Sequence, residues 1–82
     1  MTKDEIAELM TQTFANELGD IPLSNDLELL ESGIIDSLAL TRLVARLEEA
    51  IPGLKIPDSD VTPDALGSVD RVSAYLSRRG VD

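Results

Sequence analysis

The chain predicts a small all-α bundle with three main helices, over about 3–18, 37–51 and 68–79, a short third helix near 58–62 and a long packed loop over 19–36. Three observations carry this. Apolar residues recur at three- and four-residue spacing in three separate stretches, the pattern of a buried helix face. Clusters of Gly, Pro, Ser and Asn separate those stretches and mark where helices must stop. Hydrophobic residues make up 43% of the 82-residue chain, enough, with such periodicity, to argue for a folded core rather than disorder.

Thr2-Lys3-Asp4-Glu5 fits a capping box, in which the Thr and Glu side chains satisfy backbone donors reciprocally at a helix start. Ile6, Leu9, Met10, Phe14 and Leu18 then fall on one stripe, read as core, and Gly19 is placed to end the helix in a left-handed conformation. Residues 19–36 hold too many breakers for a long helix yet carry Ile21, Leu23, Leu27, Leu29, Leu30, Ile34 and Ile35, so the loop must be packed down. Asp26–Leu30 allows a short helical turn. Long irregular connections are uncommon in compact domains and often functional.

The second main helix places Leu40, Leu43, Val44, Leu47 and Ile51 on its apolar face and leaves Ala39, Thr41, Arg42, Ala45, Arg46, Glu48 and Glu49 more exposed. Pro52-Gly53 stops it. Leu54-Lys55-Ile56 runs extended into Pro57, because residues before proline are pushed out of the helical region. Asp58-Ser59-Asp60-Val61 fits a single helical turn with acids at its N-terminus, before Pro63 interrupts. Ser68 is a good N-cap for the last helix, where Val69, Val72 and Leu76 form a narrow stripe with Tyr75 at its flank. Arg78 and Arg79 complement the negative end of that helix dipole, and Gly80 ends it.

Neither repeat nor linker divides the sequence, so a single domain over 1–82 is expected, with one small core and modest stability. No apolar run approaches the roughly 20 residues of a spanning helix. The N-terminus is too acidic for a signal peptide, and a cytoplasmic protein is expected.

Sixteen acidic against seven basic residues give a formal charge of −9, the wrong sign for nucleic acid or an anionic membrane surface. Phe14 and Tyr75 are the sole aromatic residues, too few for a base-stacking platform. The charge favours encounter with basic protein surfaces, and serves solubility equally well. The chain has no Cys and no His, which removes thiol nucleophiles, thiolate zinc sites, imidazole bases and the Ser-His-Asp arrangement together. Any covalent thioester chemistry here needs an imported sulfur.

The functional candidate is Ser32-Gly33-Ile34-Ile35-Asp36-Ser37-Leu38, where the long loop meets the clearest amphipathic helix. Asp and Ser are favoured N-caps, so Asp36 and Ser37 read first as helix-start residues. Asp-Ser-Leu alone arises by chance in roughly 3% of chains this long, and context must carry the weight. That context is a Gly three residues before Asp36 and a following helix that closes in Leu47-Glu48-Glu49.

With these features the sequence resembles the acyl and peptidyl carrier protein family over nearly its whole length. The resemblance implies that the Ser37 hydroxyl carries 4′-phosphopantetheine as a phosphodiester, whose terminal thiol holds cargo as a thioester. It implies a non-catalytic carrier that supplies no base of its own to activate Ser37.

By the same resemblance, the short turn near 58–62 is a minor helix beside the second main one. Asp36 caps the helix and helps to place a Mg²⁺ brought by the phosphopantetheinyl transferase. Partner enzymes dock on Leu38, Thr41, Arg42 and Ala45 together with Asp58, Asp60 and Val61, although each of these also reads as an ordinary surface residue. The expected partners are that transferase, an adenylating acyl or aminoacyl ligase and downstream acyl-processing enzymes, with the carrier a monomer.

Carriers of fatty-acid synthesis typically have one residue between the Gly and the Asp-Ser pair, and acids at the exposed positions after Ser-Leu. Here Ile34 and Ile35 intervene, and Ala39 and Arg42 stand where acids are expected. This looks more like stand-alone carriers loaded by an adenylating ligase, including those of specialised metabolite assembly. The alternatives are a polyketide or fatty-acid type carrier, favoured by a larger apolar cavity, and a modification-free helical interaction module in which Ser37 is only a cap.

Overall fold

The computed structural model describes residues 1–81; Asp82, the last residue of the expected domain, lies outside them. The fold is all-α, without strands among the described residues. Helix α1 spans Lys3–Thr13, α2 Ala15–Leu18, α3 Ala39–Ala50, α4 Pro63–Leu66 and α5 Val69–Arg78, with a 3-10 turn at Asp58–Asp60. Helix α1 packs against both α3 and α5, and α4 packs against α5.

The capping box forms as expected. Glu5 N–H donates to Thr2 Oγ1 at 3.2 Å, and Thr2 N–H donates to Glu5 Oε1 at 2.8 Å. The single helix expected over 3–18 is instead divided at Phe14, whose φ of −109° and ψ of 26° leave the helical basin. Just before the break, the hydroxyls of Thr11 and Thr13 donate back to the carbonyls of Ala7 and Leu9, both at 2.7 Å. Such back-bonding bends helices. The stripe survives the bend: Ile6, Met10, Phe14 and Leu18 are all buried. Gly19 does take a positive φ of 56°, but its ψ of −119° lies outside the left-handed helical region, so the chain turns away more sharply than a standard helix end.

The loop that follows is packed down by Leu29 and Ile35, both buried. Asp26–Leu30 forms turns rather than a helix: Leu27 N–H reaches Ser24 O at 3.2 Å, and Ser32 N–H reaches Glu28 O at 3.0 Å. The Leu29 carbonyl accepts from both Ile34 and Ile35 N–H, at 3.1 and 3.2 Å. Outward, the loop is tied to the start of α5. Asp70 N–H donates to Asn25 O and Leu29 N–H to Gly67 O, each at 2.9 Å, and Arg71 Nε pairs with both oxygens of Glu28. Backbone groups of an irregular segment thus find partners in a helix start, where donors and acceptors are otherwise orphaned.

Two stretches near the C-terminus differ from expectation. Pro63 does not interrupt a helix; it begins α4, with Thr62 Oγ1 accepting from Ala65 N–H at 3.2 Å. Proline is well suited to the first helical position because its missing N–H has no partner there anyway. Tyr75 does not flank the α5 stripe but is buried within it, while Ser68 caps the helix as expected.

Candidate functional site

The site is built where the loop delivers its last residues to α3. Gly33 holds a positive φ of 78°, and this turn, followed by the anchored Ile35, sets the direction of Asp36 and Ser37. Helix α3 proper begins at Ala39, not at Ser37. The turn before it is wound more tightly, with i→i+3 bonds from Ala39 to Asp36, Leu40 to Ser37 and Thr41 to Leu38 at 3.1–3.2 Å. Tight 3-10 turns are common at helix ends.

Asp36 is the residue that caps. Its Oδ1 accepts from Ala39 N–H at 3.0 Å, satisfying one of the orphan donors of the helix start. Ser37 is exposed, and its hydroxyl makes no hydrogen bond to any described residue. Nor do the N–H groups of Ser37 and Leu38 among those residues. A free hydroxyl beside two free N–H groups at the positive end of a twelve-residue helix suits a phosphate ester. The expectation that first-turn N–H groups surround such an ester narrows to these two, since Asp36 already occupies the N–H of Ala39.

Leu38 is 75% exposed, a large apolar side chain held out in water directly beside Ser37. Thr41, Arg42 and Ala45 continue the exposed face of α3 as expected. Ala39, expected to be exposed, is buried. It lies four residues before Leu43 and eight before Leu47, so its methyl falls on the same buried row, while Val44 and Ile51 of the predicted stripe are only partly covered. Glu48 is half-buried because its Oε2 accepts from Ile56 N–H at 2.8 Å and pins the connector after α3.

The expected contact residues do not share one environment. Arg42 ion-pairs with Glu17 of α2 and lies over the buried Phe14 ring, 5.8 Å from its centroid. That hydrogen bond from Arg42 holds the Glu17 carboxyl below its ordinary range. The second Glu17 oxygen, Oε1, is shielded from solvent and has no partner among the described residues. Asp58 is exposed, whereas Asp60 and Val61 are half-buried. Asp60 Oδ2 accepts from Tyr75 OH at 2.7 Å, and Arg79 donates to the same hydroxyl and to Lys55 O. This network ties the 3-10 turn to α5. An open groove of about 370 Å³ lies beside it, lined by Ser59, Asp60, Thr62, Asp64, Tyr75 and Arg79 among others.

Sequence reasoning missed the Arg42–Glu17 pair and the Asp60–Tyr75–Arg79 network. Both join residues far apart in the chain, and neither has a local spacing that signals it.

A small helical bundle that offers a free serine hydroxyl at a helix start, in a chain without Cys or His, has the features of a carrier domain rather than an enzyme. Comparison with known families agrees: the family model described as phosphopantetheine attachment site matches residues 8–76, and the chain belongs to that family. No curated protein and no solved structure matches it. It is therefore a non-catalytic carrier of a covalently attached 4′-phosphopantetheine, and it works with a phosphopantetheinyl transferase and acyl-processing enzymes. Among the described residues, no helix is long and apolar enough to cross a membrane.

Proposed function

We propose that Ser37 is the attachment point, and that the protein is a discrete, monomeric cytoplasmic carrier for an aminoacyl or short acyl group. A separate adenylating ligase loads it, in the biosynthesis of a specialised metabolite. The observation that carries the attachment reading is the Ser37 hydroxyl itself, exposed and unpartnered at the start of α3.

No base among the described residues touches that hydroxyl, so the transferase must remove its proton. The Ser37 oxygen then forms a bond to phosphorus as the pyrophosphate link of coenzyme A breaks and the adenosine bisphosphate portion leaves. The free N–H groups of Ser37 and Leu38 and the dipole of α3 stabilise the resulting negative charge. Asp36 opposes it by repulsion, which fits a role as helix cap and, with the transferase present, as a neighbour of its Mg²⁺. Once attached, the group supplies a terminal thiol on a long tether, which keeps a thioester-bound cargo at high effective concentration near a docked enzyme.

The aminoacyl or short acyl cargo is supported by the two residues, Ile34 and Ile35, between Gly33 and Asp36, and by the absence of acids on α3 from Ala39 to Leu47.

Incubation with a broad-specificity phosphopantetheinyl transferase and coenzyme A is expected to add the mass of one phosphopantetheine to the intact protein. Ser37→Ala is expected to add none. Modification of the Ser37→Ala variant, seen by intact-protein mass spectrometry, would move the attachment to another serine and end this reading.

A further inference from the structure

The loop that presents Ser37 leaves α2 at Gly19 and reaches α3 at Ala39. Its middle is fastened to α5, through Leu29 N–H on Gly67 O and through the Arg71–Glu28 pair. Its two ends are fastened to each other. Glu17 stands in α2, just before the loop starts, and Arg42 stands on the first turn of α3, just after it finishes. The hydrogen-bonded ion pair between them joins α2 to α3 directly, across 25 residues of chain, while α1 packs against both helices.

An exposed ion pair ordinarily contributes little, but three observations set this one apart. The Arg42 guanidinium also lies over the Phe14 ring, 5.8 Å from its centroid, at the residue where the first helix breaks. Stacking of this kind holds the planar group in place. Glu17 Oε1 is shielded from solvent, so the carboxylate is seated in the junction between the helices. Finally, the pair lies toward the Ser37 end of α3. Long side chains on a helix lean toward its N-terminus. The Glu17 carboxyl, which the Arg42 hydrogen bond holds low, also feels the opposing charge of Asp36. Arg42 must therefore give up two contacts within the carrier before it meets any partner.

On the reading that Ser37 is the attachment point, we infer that Glu17 is a positioning residue for its modification, acting through Arg42 to close the mouth of the loop and hold residues 36–38 against α2. The reaction needs the hydroxyl oxygen in line with the phosphorus it attacks, and a small misplacement of a reacting atom lowers the rate steeply. Arg42, which the family resemblance places among the contacts for partner enzymes, does its work inside the carrier.

Wild type, Glu17→Gln, Arg42→Gln and the exchanged pair Glu17→Arg/Arg42→Glu are compared, each first shown to be folded by circular dichroism. One measurement is kcat and KM for coenzyme A-dependent modification by the broad-specificity transferase, with the carrier as the varied substrate. The other is hydrogen exchange at the Ile34 and Ile35 amides, whose bonds to Leu29 O close the last turn of the loop. Both single variants are expected to lower kcat/KM about three- to fivefold, chiefly through kcat, because a lost docking contact acts through KM instead. Exchange at the two amides is expected to quicken by about the same factor, with the α5 amides unchanged. The exchanged pair is expected to recover most of both losses. A loss in Arg42→Gln with Glu17→Gln equal to wild type returns Arg42 to a partner contact and overturns the assignment. So does an exchanged pair no better than the single variants, or unaltered exchange at Ile34 and Ile35 in Glu17→Gln. If wild type itself is not modified, the attachment reading fails and the positioning role with it; if only the positioning role is wrong, wild type is still modified.

Discussion

Asp36 and Ser37 are adjacent, similar in size and both good helix caps, yet the structure divides their work. The Asp36 carboxylate takes the Ala39 N–H at 3.0 Å, so the Ser37 hydroxyl is released from capping and left free. A serine that caps its own helix has its oxygen aimed at the backbone; a serine one position later does not. The division predicts separable effects. Asp36→Ala is expected to lower unfolding stability by about 1 kcal/mol, the usual cost of losing a cap, as measured by urea denaturation. Asp36→Ser is expected to restore most of that stability, because a hydroxyl caps as well as a carboxylate. If Asp36 also helps to place Mg²⁺, modification of the restored variant remains slow; if it only caps, the rate returns with stability.

At the scale of elements, the last third of the chain depends on one close approach. Gly67 joins α4 to α5 with an ordinary φ of −79°, so left-handed geometry does not require glycine there. Space does: a Cβ at this position would collide with the carbonyl oxygen of Pro63, a backbone atom that cannot swing aside. The Gly67 carbonyl also accepts from Leu29 N–H, so any shift of this corner disturbs the loop that leads to Ser37. Gly67→Ala is therefore expected to destabilise the fold by about 1–3 kcal/mol, the range of overpacking, despite the reduced freedom that alanine gives the unfolded chain. Thermal unfolding measures it. An unchanged or raised midpoint would show that the corner tolerates a methyl group.

For the whole molecule, stability against pH has two limbs with separate origins. Backbone and side-chain hydrogen bonds from Thr2 hold the Glu5 carboxyl below the ordinary 4.5, and a hydrogen bond from Arg42 does the same for Glu17. The folded state binds these protons less readily than the unfolded one. Their stabilisation is complete above the ordinary carboxylate value and is lost as pH falls through the lowered ones. Tyr75 behaves in the opposite sense: burial first, and then its hydrogen bond to Asp60, raise its phenol above the ordinary 10.0. That contribution is complete below about pH 10 and is lost as pH rises through the raised value. Chemical denaturation across pH is expected to show both declines. Tyr75→Phe is expected to flatten the alkaline one while leaving the acid limb in place.

The three main helices and the long packed loop follow from sequence because they rest on short-range rules. Apolar spacing marks the buried face, capping residues mark the starts, and Gly33 and Asp36-Ser37-Leu38 mark the candidate site within a stretch that local patterns describe. The family match over residues 8–76 agrees with the family suggested by that same stretch. Tertiary structure alone decided the rest. It broke the first helix at Phe14, buried Ala39 and Tyr75, turned Pro63 from an interruption into a beginning, and assigned capping to Asp36. It also paired Arg42 with Glu17, 25 residues away, and left Arg46 with no carboxylate of the described residues in ion-pair distance. Helical periodicity is encoded within a few residues, whereas the partner of a side chain and the burial of a small residue depend on which distant elements come to rest against it, and no local spacing carries that information.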